Sequence, residues 1–311
     1  MQSAKMNRLV AIVGPTGIGK SRLALRLAQD FSGEIIGADS RQVYRYMDIG
    51  TAKPSREEQS LVPHHLIDIV NPDQDFSLAQ YQKLAYESIA GIQQHQKLPL
   101  LVGGSGLYIR AVLEGWQIPH VLPNTELRQS LAERAAKEGV ETLYQELVRI
   151  DPASAQRIDP HNTRRVIRAL EVCQSTGVPF SRLQQKTTPP FETLIISLTT
   201  DRAELYRRVD ARVDRMIEQG LVEEVKRLVS MGYGFDLPAM SGIGYKQIGQ
   251  YLNGALTPKT ATQQIKFETH RFVRQQYNWF RLGDKRIQWF DIQSEAEAEI
   301  SASVKKFISG K

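Results

Sequence analysis

The chain has 311 residues, of which 41% are hydrophobic and 24% are charged, and its formal net charge is +6. This length allows one large domain with an insertion, or two domains, in a globular protein of ordinary composition. The single cysteine, Cys173, excludes an internal disulfide and a C-x-x-C zinc site. Apolar runs are too short to span a membrane and no signal peptide is expected, so we expect a cytoplasmic protein. The positive net charge suits a polyanionic partner, but such a charge is also common in proteins without one.

A phosphate-binding pattern lies near the start of the chain. A short apolar run leads into G-x-x-x-x-G-K-S, between a strand predicted over residues 8–13 and a helix predicted over residues 20–30. In such a loop, backbone N–H groups surround a phosphate, the lysine neutralises it and the serine hydroxyl binds Mg²⁺. The predicted phosphate-binding residues are Gly14, Pro15, Thr16, Gly17, Ile18, Gly19, Lys20 and Ser21.

Further strand-like runs alternate with helical patterns. The run "GEIIGADS" contains Asp39 at its end, and "KLPLLVGGSGLY" runs into a glycine-rich turn with Ser105. Between them, Ser77 and Gln80 form a capping box that predicts the start of a helix. This alternation indicates a parallel sheet, whose ligands gather at the carboxyl ends of the strands. We therefore predict an α/β domain in which the phosphate loop, Asp39 and residues 103–106 share one crevice.

A helical segment interrupts the strand pattern. From Trp116 to the linker "TTPP" the chain has helical patterns and no strand-like run, and "TLIISLTT" then resumes the strands. We expect residues 1–116 and 191–311 to form the α/β core domain. Residues 117–190 are expected to form an inserted, all-helical domain.

One helix of this insertion carries a basic face. Arg164, Arg165 and Arg168 lie on one arc of the helical wheel, with the apolar residues opposite. Such a face is usually solvated, but here no acid offsets the arginines before Glu171. This favours contact with a nucleic-acid backbone.

Four residues outside the phosphate loop are candidates for chemistry in the crevice. Asp39 either caps the turn after its strand or, when ionised, accepts a proton from a nucleophile. Gln42 carries a donor and an acceptor that suit an adenine edge, and Lys53 is either a site residue or a solvated loop residue. Arg212 falls in an apolar helical stripe, about 20° from Leu205. A buried arginine needs an anionic partner, which is either a structural carboxylate or a phosphate of the ligand.

The C-terminal helical pattern interleaves basic and aromatic residues. This combination suits unpaired RNA bases, because rings stack on bases while cations contact phosphates. Several of these rings must also belong to the core, so no ring is assigned to stacking. The residues are Lys266, Phe267, Arg271, Phe272, Arg274, Tyr277, Trp279, Phe280 and Arg281.

Taken together, these motifs resemble the tRNA dimethylallyltransferases, which prenylate an adenosine beside the anticodon. The resemblance runs from residue 14 to residue 281 and implies a P-loop NTPase-like parallel sheet flanked by helices. Eukaryotic relatives carry a zinc finger that one cysteine cannot build, so a bacterial type is implied. The matching stretches are "GPTGIGKS", "DSRQVYRYMDIGTAKP", "PHHLID", "GGSGLYI", "DPASAQRIDPHNTRRVIRALEV", "SGIGYKQ" and "RQQYNWFR".

The resemblance implies that the loop holds the diphosphate of dimethylallyl diphosphate rather than a nucleoside triphosphate. By the family pattern, Ser21 contacts Mg²⁺ and Thr16 lies near the bridging oxygen. Lys20 and Arg212 then balance the charge of the leaving diphosphate.

The second substrate implied by the resemblance is the anticodon stem-loop of a tRNA, in which the adenosine becomes N6-isopentenyladenosine. Asp39 would be the general base for the exocyclic amine, and Ser105 would lie close to the reacting ends of both substrates. We expect the enzyme to be a monomer. The implied tRNA contacts are Asp39, Ser40, Arg41, Gln42, Thr163, Arg164, Arg165, Val166, Ile167, Arg168, Ser241, Gly242, Ile243, Gly244, Tyr245 and Lys246.

Three other functions fit part of the sequence. A small-molecule kinase would bind ATP in the same loop but would leave the arginine face unexplained. An adenylate prenyltransferase would modify free AMP and needs no RNA-binding insertion. A non-catalytic RNA-binding protein would need the arginines but not Asp39.

Overall fold

A computed structural model describes residues 7–119, 124–183, 185–293 and 296–310. Within these residues, six strands form one sheet in the spatial order third, second, fourth, first, fifth, sixth, and every neighbouring pair is parallel. The predicted α/β class with a parallel sheet is confirmed. The strands are β1 (Arg8–Val13), β2 (Gly33–Ala38), β3 (His64–His65), β4 (Leu98–Gly103), β5 (Glu192–Thr199) and β6 (Ile287–Asp291).

Helices cover both faces of the sheet because the central strands are apolar on both sides. In β1, Leu9, Ala11 and Val13 belong to one core cluster, whereas Val10 and Ile12 belong to another. The helices are α1 (Lys20–Asp30), α2 (Arg56–Leu61), α3 (Leu78–Gln94), α4 (Gly106–Leu113), α5 (Thr125–Glu138), α6 (Val140–Ile150), α7 (Pro152–Ala155), α8 (Thr163–Thr176), α9 (Phe180–Leu183), α10 (Arg202–Glu218), α11 (Leu221–Ser230), α12 (Tyr245–Leu252), α13 (Pro258–Trp279) and α14 (Ala296–Ser309).

Local sequence patterns predicted the bounds of several of these elements correctly. The strand predicted over residues 8–13 and the helix predicted over residues 20–30 have the bounds of β1 and α1. The capping box at the start of α3 is also present, since Ser77 Oγ accepts from the Gln80 amide at 3.2 Å and Gln80 Oε1 accepts from the Ser77 amide at 2.8 Å.

The chain forms two compact units, Met1–Leu113 with Pro189–Lys311, and Glu114–Thr188. The second unit contains α5 to α9 and has its own apolar core, which includes Leu143 and Leu170. It begins before residue 117 because the two ends of the segment pair with each other. The Thr187 amide donates to the Gly115 carbonyl at 2.8 Å, and the Gln117 amide donates to the Gln185 carbonyl at 2.7 Å. Among the helices of the described residues, none is long and apolar enough to cross a membrane.

The order of the sheet determines which loops meet. Strands β2, β4 and β1 are consecutive neighbours and run in the same direction. The phosphate loop after β1, Asp39 after β2 and the glycine-rich turn after β4 therefore emerge side by side at one edge of the sheet.

Candidate active site

The loop between β1 and α1 is shaped for an anion. Gly14 and Gly19 have φ values of +128° and +106°, a backbone conformation that favours glycine. Gly19 is also the N-cap of α1, and no side chain of the described residues caps this helix end. The first-turn N–H groups therefore stay available for a ligand at the positive end of the helix dipole.

Lys20 is the first residue of α1, and the pKa of its ammonium group is lowered. Its Nζ donates to the Pro15 carbonyl at 2.7 Å. Burial, and after it the charge of Arg212, lower the pKa of Lys20 from 10.5 to about 7, although Asp39 opposes this shift. An anion placed beside Lys20 would restore its charged form.

Arg212 faces the same region from α10. Burial lowers the pKa of its guanidinium, Asp39 raises it and Arg215 lowers it again. Arg212 forms no ion pair within the described part of the chain. The alternative of a structural carboxylate partner is therefore not observed, and the guanidinium stays available for an anionic ligand.

The structure shows one of the two roles of Asp39 considered from the sequence, the capping of a turn. Its Oδ1 accepts a hydrogen bond from the Arg41 amide at 2.8 Å, so the carboxylate does cap the turn after β2. Asp39 also lies close enough to raise the pKa of both Lys20 and Arg212. The second carboxylate oxygen accepts no hydrogen bond from any residue that the structure describes, and it can serve as a proton acceptor.

Ser105 joins the turn after β4 to the turn after β2. Its Oγ accepts a hydrogen bond from the Ser40 amide at 3.0 Å. Its own amide donates to the Ala38 carbonyl at 3.2 Å. Ser105 is thereby bonded to the residue that follows Asp39.

An open cleft of about 1060 Å³ adjoins the phosphate loop. Lys20, Ser21 and Arg212 line it, whereas Asp39 and Ser105 do not. Its wall is strongly basic, and its other arginines are Arg22, Arg45, Arg56, Arg207, Arg208 and Arg215.

Lys53 also lines the cleft, and the solvated-loop alternative considered from the sequence is wrong for it. Its side chain is 3% exposed and is held by Asp48 and Asp68, each at 2.6 Å. The Tyr44 carbonyl accepts a third hydrogen bond from its Nζ at 2.9 Å. Lys53 is thus a structural cation that closes its own loop.

The residues at the cleft fit a Mg²⁺ ion that is held mainly by a substrate. Mg²⁺ usually keeps several waters and binds through one or two protein oxygens together with substrate phosphates. Ser21, whose side chain is a hydroxyl group, lines the cleft next to Lys20. Within the described residues there is no group of three or more His, Cys, Asp and Glu side chains that could hold a metal by itself.

The family model "IPP transferase" matches residues 42–283. The chain belongs to the IPP transferase family. It is 49% identical over 301 residues to the tRNA dimethylallyltransferase of Dehalococcoides mccartyi, covering 97% of this chain and 93% of that one. It is 55% identical over 276 residues to the enzyme of the same name from Chloroflexus aggregans, covering 89% and 93%.

Solved members of the IPP transferase family have the same fold. The tRNA isopentenylpyrophosphate transferase of Bacillus halodurans matches with a TM-score of 0.73 and 39% identity, covering 98% of this chain and 97% of that one. A eukaryotic dimethylallyltransferase described as acting on tRNA matches with a TM-score of 0.85 and 27% identity, covering 98% and 80%.

Two stretches that the family resemblance assigns to tRNA binding meet in the core unit. Arg41 Nη1 donates to the Pro238 carbonyl at 2.7 Å, and Arg41 Nη2 donates to Ser241 Oγ at 3.2 Å. The Arg41 guanidinium therefore positions the second stretch. Within that stretch Ser241 and Lys246 are exposed, but Tyr245 is 1% exposed and donates to Glu224 Oε1 at 2.7 Å. The side chain of Tyr245 is thus not accessible to tRNA.

Gln42 does not offer the free amide edge that we expected for adenine. Its Nε2 donates to the carbonyls of Thr51 and Ala52, both at 3.1 Å. Since these two bonds use both amide hydrogens, paired donor and acceptor contacts with a base are not available.

The arginine face of α8 is smaller than expected. Arg164 and Arg165 are exposed, but Arg168 Nη1 pairs with the fully buried Glu171 at 2.6 Å. Glu171 also accepts from Arg128 Nε at 2.9 Å, so Arg168 belongs to a structural network. The side chain of Val166 is completely buried and cannot contact a ligand.

Two buried polar residues near the site were not predicted from the sequence. Gln276 on α13 bonds to the phosphate loop, and Glu224 on α11 bonds to the loop at residues 48–50. The sequence does carry a signal for Gln276. Gln276 lies about 20° from the buried Ile265 on a helical wheel, and the same argument selected Arg212.

The aromatic residues of the C-terminal helical pattern differ in exposure. Phe267 on α13 is exposed, whereas Phe280, just after the helix, belongs to the core.

Proposed function

We propose that this chain transfers a dimethylallyl group from dimethylallyl diphosphate to the exocyclic amine of the adenosine 3′ of the anticodon in tRNA. The C–O bond to the diphosphate breaks, and its electron pair leaves with the diphosphate. A C–N bond forms to the adenine N6, which loses a proton. The products are N6-isopentenyladenosine in the tRNA and free diphosphate.

One observation carries this proposal. Two partly buried cations, Lys20 and Arg212, flank an uncapped helix N-terminus and are both electrostatically coupled to Asp39. The cations and amides suit a diphosphate whose negative charge grows as it leaves, and preorganised donors of this kind contribute about 3 kcal/mol each. The Asp39 carboxylate, whose charge acts on both cations, suits an amine that must lose a proton.

The remaining residues would position the two substrates. Thr16 in the phosphate loop would lie near the bridging oxygen of the donor, and Ser105 near the reacting ends of both substrates. Ser21 and the diphosphate would hold Mg²⁺, which would further neutralise the leaving charge. Holding two large substrates in register lowers the barrier independently of charge.

We propose that the helical insertion, expected at residues 117–190, contributes to tRNA binding. Arg164 and Arg165 are exposed in the first turn of α8, where the helix dipole adds to their positive charge. Unstacking the target base costs a few kcal/mol, which such contacts must offset. We propose that the enzyme is a monomer that acts in the cytoplasm, where tRNA is available.

A product assay tests the proposal. The protein is incubated with labelled dimethylallyl diphosphate and either an anticodon stem-loop or free AMP, and the nucleosides are analysed by mass spectrometry. We expect one dimethylallyl group on the adenosine 3′ of the anticodon, at a rate far above that for AMP. Equal rates would instead favour the adenylate prenyltransferase, and ATP binding that dimethylallyl diphosphate cannot displace would favour the kinase.

A further inference from the structure

The buried carboxamide of Gln276 connects two loops of the candidate active site. Gln276 lies in the last turn of α13, and its side chain is 2% exposed. Its Oε1 accepts a hydrogen bond from the Thr16 amide at 2.9 Å, and its Nε2 donates to the Gly104 carbonyl at 3.0 Å. These partners fix the orientation of the carboxamide, because an N–H group only donates and a carbonyl only accepts.

The turn after β4 is built around this side chain. A Cβ on Gly104 would collide with Gln276 Nε2 and would lie 3.3 Å from the Gly14 carbonyl oxygen. Glycine at position 104 thus lets Gln276 and the phosphate loop approach the turn together. The next residue, Ser105, bonds to the Ser40 amide and so extends the connection to the loop of Asp39.

We infer that Gln276 is a positioning residue. It fixes the position of the phosphate loop relative to the turn that carries Ser105 and the loop that carries Asp39. This inference rests on the proposed prenyl transfer. Gln276 is not among the residues that line the cleft, and its hydrogen bonds within the described residues go to Thr16 and Gly104, so it would act through these two residues. Each half of the site would still bind its own substrate without Gln276. The relative placement of donor and acceptor, which governs the rate of the bound complex, would be lost.

The test compares kcat and KM in four variants. Gln276→Met keeps the length of the side chain but removes both hydrogen bonds, and Gly104→Ala displaces the carboxamide from the other side. Gln275→Met, at an exposed neighbouring position of α13, is the matched control. We expect kcat to fall about 10- to 100-fold in the first two variants, with the KM of each substrate within about threefold of wild type and with no change in the control.

Gln276→Glu should show a pH dependence of kcat that loss of packing alone would not give. The introduced carboxylate can accept from Thr16 but repels the Gly104 carbonyl, whereas its protonated form can accept and donate as the amide does. Burial raises the pKa of such a carboxyl, so kcat relative to wild type should rise as the pH is lowered from 8 to 6.

The outcomes separate the two hypotheses. If wild type and Gln275→Met transfer no prenyl group to the stem-loop, the proposed function fails. If they do, and folded Gln276→Met keeps its kcat, or its KM values rise while kcat is unchanged, the positioning role is wrong. Thermal unfolding identifies the folded variants, and if Gln276→Met does not fold, Gly104→Ala and the pH response of Gln276→Glu decide in the same way.

Discussion

The Tyr245 hydroxyl donates a hydrogen bond to Oε1 of Glu224 at 2.7 Å, inside the core unit. The same carboxylate accepts three consecutive backbone amides, those of Asp48, Ile49 and Gly50, at 2.8 to 3.1 Å. Glu224 is 1% exposed, and Arg227 Nη2 lies 3.9 Å from its Oε2 in addition to these hydrogen-bond donors. The loop at residues 48–50, which adjoins the cleft, is thereby fixed by a side chain on a distant helix.

Replacing this carboxylate should destabilise the protein. Gln at position 224 brings an N–H₂ group against backbone donors and leaves buried groups unsatisfied, which costs about 1–3 kcal/mol. Glu224→Gln should therefore lower the free energy of unfolding in urea by about 2 kcal/mol. Glu223→Gln, at a neighbouring exposed position, should change it little. Equal stabilities of the two variants would contradict the structural role of Glu224.

Removing the proposed base should separate turnover from tRNA binding. Asn at position 39 preserves the size of the side chain but cannot take up a proton, so Asp39→Asn should lower kcat about 100-fold. The affinity for the anticodon stem-loop, measured by fluorescence anisotropy, should stay close to that of wild type. Asp30→Asn on the surface of α1 is the matched control. Unchanged turnover in Asp39→Asn would exclude Asp39 as the base.

The lowered pKa of Lys20 makes donor binding dependent on pH. In the free protein this pKa is about 7, so at pH 8 about nine-tenths of the ammonium is deprotonated. A bound diphosphate favours the charged form, so binding raises the pKa and takes up a proton. The affinity should therefore fall as the pH rises from 7 to 9.

Calorimetry in buffers of different ionisation enthalpy measures this proton uptake directly. At pH 8, where the donor diphosphate is ionised, we expect uptake of nearly one proton per dimethylallyl diphosphate bound. Lys20→Met should abolish the uptake, and Lys83→Met on the exposed side of α3 should not. Binding without proton uptake in the wild-type protein would contradict the assignment of Lys20 to the diphosphate.

The exposed arginines of α8 should contribute mainly through phosphate contacts. Arg164→Gln and Arg165→Gln should each weaken stem-loop binding and reduce the slope of log affinity against log salt by about 1. Arg134→Gln removes the same charge from α5, where the side chain pairs with Glu146, and serves as the control. If the salt slopes of Arg164→Gln and Arg165→Gln equal those of wild type and of Arg134→Gln, α8 is not part of the tRNA-binding surface.

Much of the core could be predicted because its signals are local. The bounds of β1 and α1 follow from an apolar run, a glycine-rich loop and an amphipathic pattern that are contiguous in the sequence. The adjacency of the loops after β1, β2 and β4 follows from the general rules of parallel sheets. The partly buried position of Arg212 followed from its place on a helical wheel.

What could not be predicted depends on partners distant in the sequence. Gln276 bonds to Thr16 across 260 residues, and Glu224 bonds to Asp48 across 176. The prediction that Arg168 belongs to the exposed basic face was wrong. Glu171, one turn along the helix, forms ion pairs with both Arg168 and Arg128. Gln42 was misjudged because the loop at residues 51–52 folds back onto its amide.

A crystal structure with an unreactive dimethylallyl diphosphate analogue and an anticodon stem-loop tests the central claim most directly. We expect diphosphate oxygens at the backbone amides between Gly14 and Ser21, with Lys20 and Arg212 in contact with them. The free oxygen of Asp39 should lie within hydrogen-bond distance of the adenine N6. An analogue bound elsewhere, or an Asp39 carboxylate turned away from the adenine, would contradict the account.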